Sequence, residues 1–191
     1  GPPIISDEIY HGLVYGEKER SMLEFSDNVF VLNGFSKYYA MTGFRLGYVI
    51  APREFVRPIQ KAQQNLFICA SSISQWAGLS ALTDIHPELA HMVNIYDERR
   101  RYLLQALPEL GFKIAFEPKG AFYILADARF LGSDSNALAF DILEKVHVAL
   151  DPGIDFGSNA EGYLRFSYAN SLDKIKIGVE RLKGYIDATK N

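Results

Sequence analysis

The 191-residue chain has one cysteine, Cys69, one tryptophan and three methionines. A single thiol excludes an internal disulfide framework and suits a reducing compartment, so a cytoplasmic location is expected. No apolar run approaches the roughly 20 residues that a membrane-crossing helix needs. Neither sign of charge prevails: 20 Lys and Arg stand against 23 Asp and Glu, a net charge of −3. That balance provides no clustered basic face, which argues against nucleic acid or an anionic membrane as a partner. The phosphate loop G-x-x-x-x-G-K-[ST] and the dinucleotide fingerprint G-x-G-x-x-G are both missing. His86 and His91 lie five apart without a zinc-ligand pattern, so no metal is expected. Ser158 and Ser167 sit in no G-x-S-x-G elbow. Cys69 follows Phe67-Ile68 with no histidine beside it, and reads as a small core residue rather than a nucleophile.

What is present is a chain that is 48% hydrophobic and 23% charged, long enough to bury a core without staples. It opens on Gly-Pro-Pro and passes at once into Ile4-Ile5, as a chain beginning inside a folded element would. Ile4-Ile5, Asn28–Asn33 and Leu46–Ile50 read as buried strands. Pro52 closes the third and opens a helix carrying Phe55, Ile59, Ala62 and Leu66, in which Pro58 is expected to kink the helix or delay its start. Ser71–Leu82, with Trp76, reads as a packed helix.

Pro87 starts a helix with Met92, Tyr96, Leu103, Leu107 and Leu110 on one face, ended by Gly111. Its charge run, Asp97-Glu98-Arg99-Arg100-Arg101, reads as a solvated face. Beyond it, Lys113–Phe116, Phe122–Leu125, Val146–Leu150 and Tyr163–Ser167 are strand candidates. Leu138, Ile142 and Val146 mark a helix with Ser135 as a candidate cap, and Ser171 caps a last helix with Ile175, Val179, Leu182 and Ile186 inward. A domain change is placed near residue 97, between part of a layered α/β sheet (1–96) and a compact α+β unit (97–191).

Three short segments in the first part carry chemistry. Ser6-Asp7-Glu8-Ile9-Tyr10 follows a strand, at the kind of carboxyl edge where α/β sheets bind ligands. Gly34-Phe35-Ser36-Lys37 follows the next, and Thr42-Gly43-Phe44-Arg45-Leu46-Gly47-Tyr48 opens a third. Singly each is weak: a lone lysine is usually a surface lysine, and an aspartate at a strand end is usually a turn residue. Together they supply an amine, an acid and a fixed cation at neighbouring sheet edges. Pyridoxal phosphate demands that set: an amine for a Schiff base, an acid at the ring nitrogen and a cation for the phosphate.

D-E-I-Y, S-K and M-T-G-F-R-L-G-Y closely resemble the class I/II aminotransferases of the aspartate aminotransferase fold type. Gln75-Trp76-Ala77, Gly120–Tyr123, Pro152–Gly157 and Gly162–Ser167 extend the resemblance, in order, over the whole chain. It implies the C-terminal part of a pyridoxal-phosphate-dependent transferase's large domain, a mixed sheet with flanking helices, followed by a small α+β domain. It implies that Lys37 binds the cofactor and shuttles the proton, and that Asp7 keeps the ring nitrogen protonated. It further implies that Tyr10 donates to the ring oxygen, that Arg45 grips the phosphate and that Arg165 pairs with the substrate α-carboxylate. Tyr123 and Phe156 would wall the substrate pocket.

The family's N-terminal portion supplies further cofactor contacts that these residues lack, so weak or no turnover is expected of the 191 residues alone. Where many relatives have serine three residues before the lysine, this chain has Gly34, so that one phosphate contact is either missing or replaced by a group outside these residues. The implied activity is exchange of amino and keto groups between an α-amino acid and a 2-oxo acid, by a homodimer. The same scaffold also serves C–S lyases, cyclopropane-forming synthases and effector-sensing domains of transcription regulators, and the sequence leaves these alternatives open.

Overall fold

The computed structural model describes residues 1–189. The chain is mixed α/β and divides into two compact units, Gly1–Val93 and Asn94 onward. The first contains β1 (Ile4–Asp7), β2 (Val29–Gly34), β3 (Gly47–Ile50), α1 (Arg53–Phe67) and α2 (Ser72–Thr83). A long helix, α3 (Pro87–Glu109), begins in the first unit and ends in the second. The second unit continues with β4 (Tyr123–Asp127), α4 (Ser135–Val146), β5 (Asp151–Pro152), β6 (Tyr163–Ser167) and α5 (Leu172–Thr189).

In the first unit the strand order is β1-β2-β3. β1 runs parallel to β2, with Asp7 opposite Leu32, and β3 runs antiparallel to β2, with Gly47 opposite Gly34. The carboxyl ends of β1 and β2 and the amino end of β3 therefore lie at one edge of the sheet. β2 buries Val29 and Val31 and exposes Leu32, the period-2 pattern of a strand with one covered face. The expected burial of β1 and β3 does not hold. Ile5 is 72% exposed and every residue of β3 is exposed, because both are edge strands and the described helices leave their faces uncovered.

The helices of this unit also depart from expectation. α1 begins at Arg53 and passes through Pro58 with no residue buried. α2 buries only Ser74 and Gly78, and Trp76 is 72% exposed rather than packed. Cys69, in the loop between them, is exposed and not a core residue. The small side of α2 meets the two ends of the β2–β3 loop: Leu46 and Phe35 lie against Gly78, where a Cβ would collide with Leu46.

The second unit is a two-layer α+β arrangement around the antiparallel order β4-β6-β5. Leu164 and Phe166 of β6 and Ile124 and Ala126 of β4 face a core with Leu103, Leu107, Phe112, Ile142, Leu182 and Ile186. The alternate residues Tyr123, Leu125 and Arg165 take the other face, with Leu125 opposite Arg165. The Tyr185 hydroxyl donates to Asp141 at 2.6 Å, joining α5 to α4; burial, then that bond, push the phenol up to about 12.

Three expectations fail here. Lys113–Phe116 forms no strand, only a single bridge from Lys113 to Asp127, and Phe116 is exposed. Val146–Leu150 is not a strand either: α4 continues through Val146 and stops at His147, whose φ of 56° is left-handed. The cap of α4 is Asp134, whose carboxylate accepts from Ala137 N at 2.8 Å, while Ser135 is fully buried one position later. Ser171 does cap α5, its hydroxyl accepting from Lys174 N at 3.4 Å.

The charged face of α3 is not uniformly solvated. Arg100 is only 7% exposed and donates to Asp97 (2.8 Å), Glu117 (2.6 Å) and the Pro118 carbonyl (3.0 Å). It anchors the otherwise strand-free segment after Gly111 through charge-assisted bonds.

Candidate active site

The edge defined by the carboxyl ends of β1 and β2 carries four of the five residues singled out from sequence. Asp7 ends β1, is exposed, and accepts from Ile9 N at 3.2 Å, an aspartate-stabilised turn. The ladder continues one step further through Glu8 N to Leu32 O at 2.8 Å. The chain then turns back on itself, His11 N to Glu8 O and Leu13 N to Tyr10 O, and pins the turn by burying Leu13 and Tyr15. This places Tyr10 half-buried beside the β2 loop. Lys37 Nζ stands 5.7 Å from the Tyr10 ring centroid, within cation–π range.

Gly12, at φ +88°, allows the two loops to meet: the Tyr38 ring comes within 2.5 Å of where a Cβ would be. A side chain at position 12 would push the Lys37 loop away from Tyr10.

The Lys37 loop closes as a wide hairpin from β2 to β3. Phe35 N bonds Leu46 O, Met41 N bonds Phe35 O, and Thr42 Oγ1 donates to Ser36 O at 2.6 Å. Ala40 and Arg45 both have left-handed backbones, φ 53° and 52°, a conformation that costs non-glycine residues free energy and needs surrounding support. Part of the support comes from Ser74 of α2, whose hydroxyl donates to Phe44 O at 2.7 Å. The Arg45 side chain is exposed, and its Nη1 donates to Thr42 O at 2.9 Å within its own loop.

Gly34 lies where β2 and β3 approach closely. A Cβ there would lie 3.0 Å from both Gly47 Cα and Leu46 O, so a serine would need the strand pair to give by a few tenths of an ångström.

Glu8, which sequence reading quoted only as part of its motif, proves to be the buried acid of the site region. Its carboxylate is 6% exposed and accepts from Met22 N (2.8 Å), Ser6 Oγ (3.0 Å) and Ser21 Oγ (3.1 Å), with His11 Nδ1 at 3.4 Å. Burial alone would raise its pKa; the three hydrogen bonds and the nearby imidazole outweigh burial and hold it below the usual 4.5. A depressed carboxylate adds stability above its unfolded pKa that is lost as pH falls through the folded value. Glu8→Ala is therefore expected to lose about 2 kcal/mol at pH 7, because three donors lose their shared acceptor. The difference from wild type should shrink as pH falls below 4.5. Urea titrations at pH 7 and in acid check both statements.

Arg165, the fifth residue, lies in the second unit on the open face of β6. Its guanidinium lies between two rings, with its Cζ 4.1 Å from the Tyr123 centroid and 4.2 Å from that of Phe156. Asp151 accepts from its Nε and Nη2 at 3.0 and 2.8 Å. Tyr123 and Phe156, expected to wall a substrate pocket, thus flank the arginine itself. Among the described residues, no group of three or more His, Cys, Asp and Glu could hold a metal ion. Nor is any helix of those residues long and apolar enough to cross a membrane.

The family described as aminotransferase class I and II matches residues 2–182. The chain belongs to the class I and II aminotransferases. This aminotransferase-family chain is 45% identical over 190 residues to the (5-formylfuran-3-yl)methyl phosphate transaminase of Methanocaldococcus jannaschii, covering 97% of this chain and 50% of that one. It is 33% identical to an aspartate aminotransferase of Thermotoga maritima, over 97% of its own length and 48% of the relative's. Among solved structures, the aromatic aminotransferase of Pyrococcus horikoshii aligns at a TM-score of 0.94 with 34% identity, over 98% of this chain and 52% of that one. The family chain thus spans about half the length of the curated relatives it matches.

Proposed function

We propose that the full-length protein is a pyridoxal-phosphate-dependent aminotransferase that exchanges amino and keto groups between an α-amino acid and a 2-oxo acid. The observation that carries this reading is the parallel register of β1 and β2. It sets Asp7 and Tyr10 beside the loop of Lys37, with the amine 5.7 Å from the phenol ring. An amine, a phenol, an acid and, on the same loop as the amine, an arginine form the donor set that a phosphorylated pyridine aldehyde requires.

When bound, the cofactor supplies the electron sink that lets a substrate Cα lose its proton. The chain's own residues do the rest. Lys37 Nζ would tether the cofactor and, once the substrate amine displaces it, would take the Cα proton and return it. The Asp7 carboxylate would accept from the ring N–H and hold the ring protonated, and the Tyr10 hydroxyl would donate to the ring oxygen. Arg45 would meet the phosphate as a planar fork, without help from a hydroxyl at position 34. Arg165 takes the α-carboxylate, its ring stack holding the guanidinium plane.

Residues 1–96 belong, on this reading, to the large cofactor-binding domain and 97–191 to the small one. A homodimer in the cytoplasm completes it. The test is a product assay on the full-length protein with pyridoxal phosphate, a panel of amino donors and 2-oxoglutarate. The donor's 2-oxo acid and glutamate should appear one for one. Pyruvate with ammonia would make the protein a C–S lyase instead, and no turnover of any donor would overturn the reading.

A further inference from the structure

The Arg165 guanidinium has two edges able to form paired hydrogen bonds, and the structure leaves them in different conditions. The side edge, Nε with Nη2, is taken by Asp151 at 3.0 and 2.8 Å. Both bonds end on the same oxygen, Oδ2. The end edge, Nη1 with the second Nη2 hydrogen, is the fork that receives a carboxylate bidentately. Tyr123 and Phe156 fix the plane of the group through their rings but leave rotation within that plane undetermined. Among the described residues, Asp151 is the hydrogen-bond partner that opposes that rotation.

Asp151 is itself well anchored. It is the cross-strand partner of Arg165 in the β5–β6 pair, so the two side chains stand on the same face. Two residues on, Gly153 is buried against the Ala160 and Tyr163 carbonyls. Next to it, Ile154 N donates to the buried Ser135 hydroxyl at 3.1 Å. The short strand that carries the acid is thus held from behind.

We infer that Asp151 is a positioning residue for substrate binding: it occupies the side edge of Arg165 and so presents only the end edge to the carboxylate shared by amino-acid and 2-oxo-acid substrates. This deepens the reading of Arg165 as carboxylate receptor and rests on it. Preorganising a group in its binding orientation lowers the cost of association without touching the chemical step. The effect therefore falls on KM and not on kcat.

The test uses the full-length holoenzyme and three variants, D151A, D151N and R165A. D151A is expected to raise KM about 10-fold for the amino acid and for the 2-oxo acid alike, with kcat within about threefold of wild type. D151N should recover most of that loss, because one carbonyl oxygen suffices to accept both bonds. The Asp151 side chain is 50% exposed, so truncation leaves a surface gap rather than a core cavity; melting curves check that the variants fold, and Asp151→Ser repeats the comparison.

A merely structural role would lower the active fraction, hence kcat, and leave KM alone; that result overturns the inference. So does an equal rise in KM for D151A and D151N, which would mean that charge and not the acceptor matters. R165A separates the two layers. If R165A raises KM and D151A does not, the positioning role alone falls. If R165A leaves KM unmoved, the reading of Arg165 as carboxylate receptor falls with it.

Discussion

Lys37→Ala in the full-length protein is expected to lower transamination by about 10³-fold, a size set by removing a general base and its covalent attachment together. Lys37 is half-buried in a loop held by backbone bonds and by the Thr42 hydroxyl, so the fold of the loop does not rest on the amine alone. Loss of rate with an unchanged melting temperature would therefore mark a chemical role. The complementary measurement is borohydride reduction of the wild-type holoenzyme followed by peptide mass analysis. The pyridoxyl label should fall on the peptide containing Lys37, and a label on any other lysine would reassign the site. Exogenous primary amines should restore part of the lost rate in Lys37→Ala, because they replace the missing base without its tether.

The largest effect on stability is expected at Gly153. The position has ordinary negative φ, so the obstacle is space and not backbone conformation. An added Cβ would collide with the Ala160 carbonyl and lie 2.7 Å from that of Tyr163, both backbone atoms that cannot swing aside. Gly153→Ala should destabilise the protein by about 3 kcal/mol, the upper range for forcing one methyl into a packed site. For a chain of this size that corresponds to a fall of roughly 6–12 °C in melting temperature. Because Asp151 lies two residues away, the same variant should also weaken substrate binding. Gly132→Ala is the control: a Cβ there meets nothing within 4 Å, and its effect should stay within about 0.5 kcal/mol.

Where sequence reasoning succeeded, one local rule decided the outcome. β2 and β6 were readable because each is a short run rich in β-branched or aromatic residues, Val29-Phe30-Val31 in one case and Tyr163, Leu164 and Phe166 in the other. The D-E-I-Y and S-K segments were placed at a strand-end edge by the same logic. Failures came where two rules competed or where the deciding neighbour was remote. Val146-His-Val-Ala-Leu150 has strand composition, but the Leu138–Ile142–Val146 stripe extends the helix to its left-handed stop at His147. Five consecutive charges looked like a solvated face, yet helical spacing puts Arg100 on the stripe of Leu103 and Leu107, where it is buried among carboxylates. The exposed apolar residues of β1, β3 and α2 are apolar enough to read as core, and composition does not record whether another layer covers them. Asp151 was beyond reach, since its meaning depends on pairing with a residue 14 positions away.

The exposure of Cys69 has a practical side. The chain's sole thiol sits in an open loop of the first unit, so a maleimide dye or spin label can be attached there without first removing other cysteines from these residues. A second cysteine introduced on α5 would complete a pair of probes, one in each unit. Their separation could then be followed by resonance energy transfer while amino acid is added.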